Sequence, residues 1–157
     1  MFNNDSLLID HQIYALEPYF IDKFKSKLTT KNGIYYSEMS VYQLLDMACI
    51  RDASTLKGRM DAVKRYMNYL TKTPVITFAH SVGAFPTMSY QQVDCVWIFN
   101  HYFQVEVLEK KKSKVIFSDG TIIIVKVSKE VLLRQQQKLH CTMNTFRSLH
   151  QEKKVMY

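Results

Sequence analysis

Three residues, Ser118-Asp119-Gly120, stand between "KVIF" and "TIIIVKV". An Asp-Gly pair flanked by β-branched and aromatic runs closes an antiparallel hairpin, because glycine takes the positive φ that a tight turn needs. A second turn signal lies near the front: "TTKNG" sets Asn32-Gly33 between "FIDKFKSKL" and "IYYSE". In the first of these runs Phe20, Asp22, Phe24, Ser26 and Leu28 alternate with Lys23, Lys25 and Lys27, the period-2 pattern of a half-solvated strand. With "IYALEP" ahead of it, residues 12–38 read as an antiparallel meander. A chain with local antiparallel units at both ends must place its helices around a sheet.

Ser40 is positioned to cap "VYQLLDMACIRD", whose apolar stripe is Val41, Leu44, Leu45 and Ala48. Ser54 or Thr55 caps a second helix, predicted over 55–72, with Leu56, Met60, Val63, Met67 and Leu70 on one side. Pro74 stops it, since the residue before proline avoids the α region. "VITFA" reads as a short strand, "HSVGAFPTMS" as a loop or irregular edge, and "VDCVWIFNHYFQVEVLEK" as mostly extended. "KKKS" turns the chain ahead of the Asp-Gly hairpin. Ser128 then caps a long last helix, striped by Leu132, Gln135, Leu139, Thr142, Met143, Phe146 and Leu149. The expected fold is α+β: an antiparallel sheet (N-terminal meander plus C-terminal hairpin) with about three helices, including a long C-terminal helix. The chain has 157 residues, 47% of them apolar, and only four Gly and three Pro. That suits one domain over 11–150, with a flexible start at 1–10 and a short tail at 151–157.

The motifs of common enzymes are missing. The sequence has no HExxH, no GxSxG, no P-loop and no GxGxxG. His11, His80, His101, His140 and His150 fall at no metal-ligand spacing. Cys49, Cys95 and Cys141 form no CxxC pair and are odd in number, which reads as buried, reduced thiols. The expectation is a non-enzyme with no cofactor, no catalytic residues and no metal. "MFNNDSLLID" carries acids and no long apolar core, and no apolar run approaches a membrane span. A cytoplasmic protein without a membrane partner is expected.

Charge is the positive signal. The net charge is +7, but residues 1–50 sum to −2 and residues 51–157 to +9. The second helical stretch concentrates Lys57, Arg59, Lys64, Arg65, Asn68 and Lys72 against one acid, Asp61. A face built for solubility usually mixes signs through i,i+4 pairs. The stretch therefore reads either as a solvated face or as a surface for phosphates, where each cation releases condensed counterions. Arginine suits a narrow A·T-rich minor groove and asparagine suits base edges. Helices at 40–52 and 55–72 give the outline of a helix-turn-helix, although the joint "RDAS" lacks a glycine. "KKKSK" at 110–114 reads as a solvated hairpin tip, or as one that reaches a phosphate. The alternative function is a protein-interaction regulator without DNA binding, pairing its 132–149 stripe with a partner helix.

Several strings, in order, extend this reading. They are Gly58-Arg59, Lys72-Thr73-Pro74, Phe85-Pro86-Thr87 with Ser89, Cys95-Val96-Trp97-Ile98 with His101, Phe117-Ser118-Asp119-Gly120, and Arg147 after an aromatic. Over about 11–148 the chain resembles the ComK family of competence transcription factors of Gram-positive bacteria. The resemblance implies a cytoplasmic activator of DNA-uptake genes. It implies double-stranded DNA as partner, bound at paired A/T-rich boxes largely through the minor groove, by dimers that assemble on DNA. It also implies an adaptor that passes members to an ATP-dependent protease. Longer members continue past the point matching "QEKKVMY", which speaks against that route through the C-terminus here. Trp97 and Cys95 are expected in the core, and Phe85-Pro86-Thr87 in a rigid loop on the sheet. No family motif names the contacting residues, so charge does. The expected DNA contacts are Lys57, Arg59, Lys64, Arg65, Asn68, Lys72 and Arg147.

Overall fold

A computed structural model describes residues 4–77 and 81–156, with side chains described through Glu152. Phe78, Ala79 and His80, the first three residues and Tyr157 lie outside the described residues, and so does the end of the "VITFA" strand. Among the described residues the strands are β1 (Ile13–Pro18), β2 (Ser26–Thr30), β3 (Gly33–Ser37), β4 (Val75–Thr77), β5 (Val82–Pro86), β6 (Trp97–Phe99), β7 (Phe103–Glu109), β8 (Lys112–Phe117) and β9 (Ile122–Val125). The helices are α1 (Val41–Ile50), α2 (Leu56–Met67) and α3 (Lys129–Met156). The α+β expectation holds, with two antiparallel sheets. One has the order β3-β2-β1-β6-β5-β4, the other β7-β8-β9.

The six-stranded sheet separates two cores. On one face Leu16, Leu28, Val82, Ala84, Trp97 and Phe99 pack with Leu44, Leu45 and Cys49 of α1 and with Leu56 and Met60 of α2. On the other, Tyr14, Ile76, Phe85 and Ile98 pack with Phe103, Val115, Phe117 and Val125 of the small sheet and with Leu132, Leu139 and Met143 of α3. The period-2 alternation of the central strands thus feeds both layers. Trp97 and Cys95 lie in the core as expected, whereas Cys141 is exposed, against the expectation of buried thiols.

The hairpin signals are realised in detail. Gly120 sits at φ 88, Gly120 N–H donates to Phe117 O at 2.9 Å, and Phe117 N–H donates to Thr121 O at 2.8 Å. This is the three-residue hairpin loop with glycine in its left-handed position. Asp119 Oδ1 accepts from Thr121 N at 3.0 Å, and its carboxylate also faces the Tyr14 hydroxyl. Burial first, and that carboxylate second, push the Tyr14 phenol up to about 12. In the front hairpin Thr30 pairs with Gly33, whose φ is 136.

Other expectations shift. Residues 19–25 do not extend β2; they form a loop with Asp22 at φ 55, Tyr19 N–H donating to Lys25 O at 3.0 Å and Phe24 N–H to Ile21 O at 3.1 Å. Pro18 closes β1, and the chain needs this span to reverse, so Phe20 and Ile21 face solvent. Residues 82–86, expected as loop or edge, form the buried interior strand β5. Gly83 and Pro86 misled as loop signals. Gly83 is there because α3 lies on it, and Pro86 ends the strand. Residues 4–8, expected to be loose, form a 3-10 turn with Ser6 buried. Residues 151–156, expected as tail, continue α3.

Candidate nucleic-acid interface

α1 and α2 begin as their caps dictate. Ser40 Oγ accepts from Gln43 N at 3.1 Å while Gln43 Oε1 accepts from Ser40 N at 2.9 Å, a complete capping box. Thr55 Oγ1 accepts from Gly58 N at 2.9 Å to open α2. That helix ends early. Asn68 takes the left-handed conformation, φ 58, and its N–H donates to Lys64 O. Asparagine tolerates this geometry better than other non-glycine residues, so it stops the helix before Pro74 does. Leu70, expected on the apolar stripe, is consequently 85% exposed.

The segment after α2 is held by α3. Gln135, 3% exposed, donates from Nε2 to Lys72 O at 2.9 Å and to Pro86 O at 3.1 Å. Lys138 Nζ donates to Thr71 O at 2.6 Å and stands 4.4 Å from the centre of the Tyr69 ring. Tyr69 Oη lies 2.8 Å from Thr142 Oγ1. Lys72 itself is left-handed, φ 50. Burial, then the neighbouring Lys72 charge, lower the pKa of the Lys138 ammonium.

These anchors shape a groove of about 570 Å³ between α2 and the segments 70–73 and 88–92. Lys57, Asp61 and Lys64 line it from α2, Lys72 lines it from the segment that follows, and Tyr42, Ser89, Tyr90 and Gln92 line it as well. The ion pairs among the described residues are Lys23–Glu38, Arg59–Asp52, Lys114–Glu106 and Lys126–Asp94, none of which uses a groove lysine. Three ammonium groups against one carboxylate give the recess a net positive lining.

The other expected contacts separate. Arg65 and Asn68 are exposed at the C-terminal end of α2 and do not line the groove. Arg59 turns inward: its Nη1 donates to Ile76 O at 2.8 Å, its Nη2 lies 3.7 Å from Asp52 Oδ2, and its side chain is 18% exposed. Arg147 lines a separate recess with Asn100, His140, Met143 and Asn144, and its Nη1 lies 3.5 Å from Asn144 Oδ1. At the β7–β8 tip Lys110 and Lys111 are exposed, while Lys114 pairs with Glu106. The α3 stripe is spent on the domain itself, since Leu132, Leu139 and Met143 are core residues and Phe146 packs beside Tyr66. That leaves little of it for a partner helix.

Sequence reasoning missed Tyr42, Tyr90 and Gln92, which lie outside the basic helix. Tyr90 had a faint signal, an aromatic residue within the polar run "SYQQ". Gln135 had a clearer one, a glutamine on an otherwise apolar stripe. Among the described residues no three His, Cys, Asp or Glu side chains gather as a metal site requires, and no helix is long and apolar enough to cross a membrane.

The family model described as ComK protein matches residues 4–151. The competence transcription factor of Bacillus subtilis (strain 168) is 26% identical over 127 residues, covering 79% of this chain and 66% of the relative. The chain thus spans just under two thirds of the length of that curated relative. No solved structure matches the chain.

Proposed function

Because the chain belongs to the ComK family, we propose that it is a DNA-binding transcriptional activator of competence genes, a non-enzyme that works in the cytoplasm. Its partner is double-stranded DNA at A/T-rich boxes, read largely through the minor groove, and it acts there as a dimer or higher assembly. The observation that carries this reading is the convergence of Lys57, Lys64 and Lys72 on one groove, where Asp61 is the one acid in the lining and none of the three lysines forms an ion pair among the described residues. The name of the Bacillus subtilis relative supports it from outside the geometry.

In this reading Lys57, Lys64 and Lys72 hold phosphates along the groove rim. Arg65 and Asn68, exposed at the end of α2, are the side chains free to enter a DNA groove. Arg59 supports the helix from within and does not touch DNA. The test is a footprint on the promoter of a DNA-uptake operon, with a minor-groove drug as competitor. Protection of paired A/T-rich boxes that the drug abolishes is the expected result. Protection indifferent to the drug argues against minor-groove reading, and no protection at low salt argues against DNA binding.

A further inference from the structure

The groove lining combines two kinds of side chain. Lys57 and Lys64 reach it from α2, and Lys72 from the segment that follows. Tyr42 and Tyr90 also line it, as a near-parallel pair with ring centres 6.3 Å apart and planes 28° from parallel. Both tyrosines are partly exposed and both line the groove. A second recess of about 250 Å³ shares Tyr42, Tyr90 and Gln92 and continues toward Phe20 and Trp97. The groove, at about 570 Å³, is of the size that takes a small ligand. Lysines beside an aromatic platform are what phosphates and a base require together.

The backbone adds an independent observation. Lys72 holds a left-handed φ of 50, which costs a non-glycine residue energy. The conformation persists because buried Gln135 grips the Lys72 carbonyl and Lys138 grips that of Thr71. The result is an ammonium presented to the recess by a loop fixed in advance, so little ordering cost falls on binding.

We infer that this recess binds a nucleoside polyphosphate, its base stacked on the Tyr42–Tyr90 pair and its phosphates held by Lys57, Lys64 and Lys72. Asp61, on α2 between Lys57 and Lys64, also lines the groove and repels phosphate beside it, which favours the end of the charged tail at Lys72. The same lysines serve DNA phosphates in the function proposed above. Nucleotide and duplex therefore compete, and the ligand is an effector that releases the protein from DNA. The competition rests on that reading; nucleotide binding does not.

The experiment is calorimetric titration of the full chain, at fixed ionic strength, with ATP, GTP, inorganic tripolyphosphate and adenosine. It is repeated on Tyr90→Leu, with urea midpoints confirming that this exposed substitution leaves the fold intact. One saturable site is expected, with ATP or GTP at least about tenfold tighter than tripolyphosphate. Tyr90→Leu removes that advantage and leaves tripolyphosphate affinity unchanged. Equal affinity for ATP, GTP and tripolyphosphate, an equal loss of all three in Tyr90→Leu, or no saturable binding overturns the inference. Duplex affinity measured on the same preparations judges DNA binding separately. Nucleotide binding without duplex binding removes the DNA reading alone, and the reverse removes the nucleotide alone.

Discussion

The Arg59 guanidinium donates to the Ile76 carbonyl at 2.8 Å and so ties α2 to strand β4. Asp52, 3.7 Å from the same guanidinium, holds it from the α1–α2 joint. A residue whose charge suggested a DNA contact thus spends it inside the domain. Hydrogen bonds from a charged, mostly buried donor contribute roughly 1.5–3 kcal/mol. Arg59→Ala is expected to lower stability by about 2 kcal/mol in urea unfolding. Arg59→Lys should recover little, since one ammonium cannot bridge two acceptors held in different directions. For protein that remains folded, the ratio of affinities for A/T-rich and G/C-rich duplexes should stay at its original value. A selective loss of A/T-rich binding would return Arg59 to the interface.

The outer face of α2 has the opposite character. Lys64→Ala combined with Arg65→Ala removes two exposed cations and no core contact. The slope of log affinity against log salt should shrink by up to about two, with the urea midpoint unchanged. A salt titration that gives the original slope rejects this face.

Gln135 connects stability to the site. Its amide serves the carbonyls of Lys72 and Pro86 from a position 3% exposed. Gln135→Leu leaves both acceptors unserved and should cost about 1–3 kcal/mol. It should also lower duplex affinity at low salt, because Lys72 loses its fixed position. Gln135→Glu, which cannot donate to the two carbonyls when ionised, should behave as badly or worse at neutral pH. Full duplex affinity in a destabilised Gln135→Leu would mean that the loop needs no anchor.

Glu17 sets a pH dependence. It lies opposite Lys27 in the β1–β2 register, and one of its carboxylate oxygens is buried without a partner. Burial raises its pKa above the ordinary carboxylate value, and Lys27 opposes this only in part. A raised acid pKa means that folding favours the neutral form. Its contribution is present at acid pH and is lost as pH rises through the shifted value. Glu17→Gln should therefore raise the melting temperature at about pH 7, with the gain fading toward about pH 4. Equal gains at both pH values would show that charge is not the cause.

Gly83 tests the seat of α3. A methyl group there would stand 2.8 Å from Met143 Sδ and 2.9 Å from Leu139 Cδ1, both ends of flexible side chains. Gly83→Ala should cost about 1 kcal/mol, while the bulkier Gly83→Val should cost about 1–3 kcal/mol as the helix is pushed off the sheet. Thermal melts that rank valine at or above alanine would show that the helix seat is looser than its packing.

The parts of this fold that obey local rules were legible in the sequence. The Ser40 and Ser128 caps, the Asp119-Gly120 turn and the stripes of α1 and α3 depend on neighbours within a few residues. β5 was not legible, because its glycine answers to a helix far along the chain. The site divides the same way. The basic run marked the lysines, but helical spacing could not reveal that Asn68 breaks the helix and so sends Lys72 round to face Lys57 and Lys64. Nor could it reveal that Arg59 finds its acceptor on β4.

Strand order has a consequence for synthesis. β1, made some eighty residues before β6, has β6 as its second neighbour, with Ala15 opposite Ile98 and Leu16 opposite Trp97. A nascent chain that has not yet emerged past Phe99 holds its meander with one flank bare and both cores open. Fragments cut before that point should aggregate or be degraded, and the protein should come off the ribosome as a single late-closing unit.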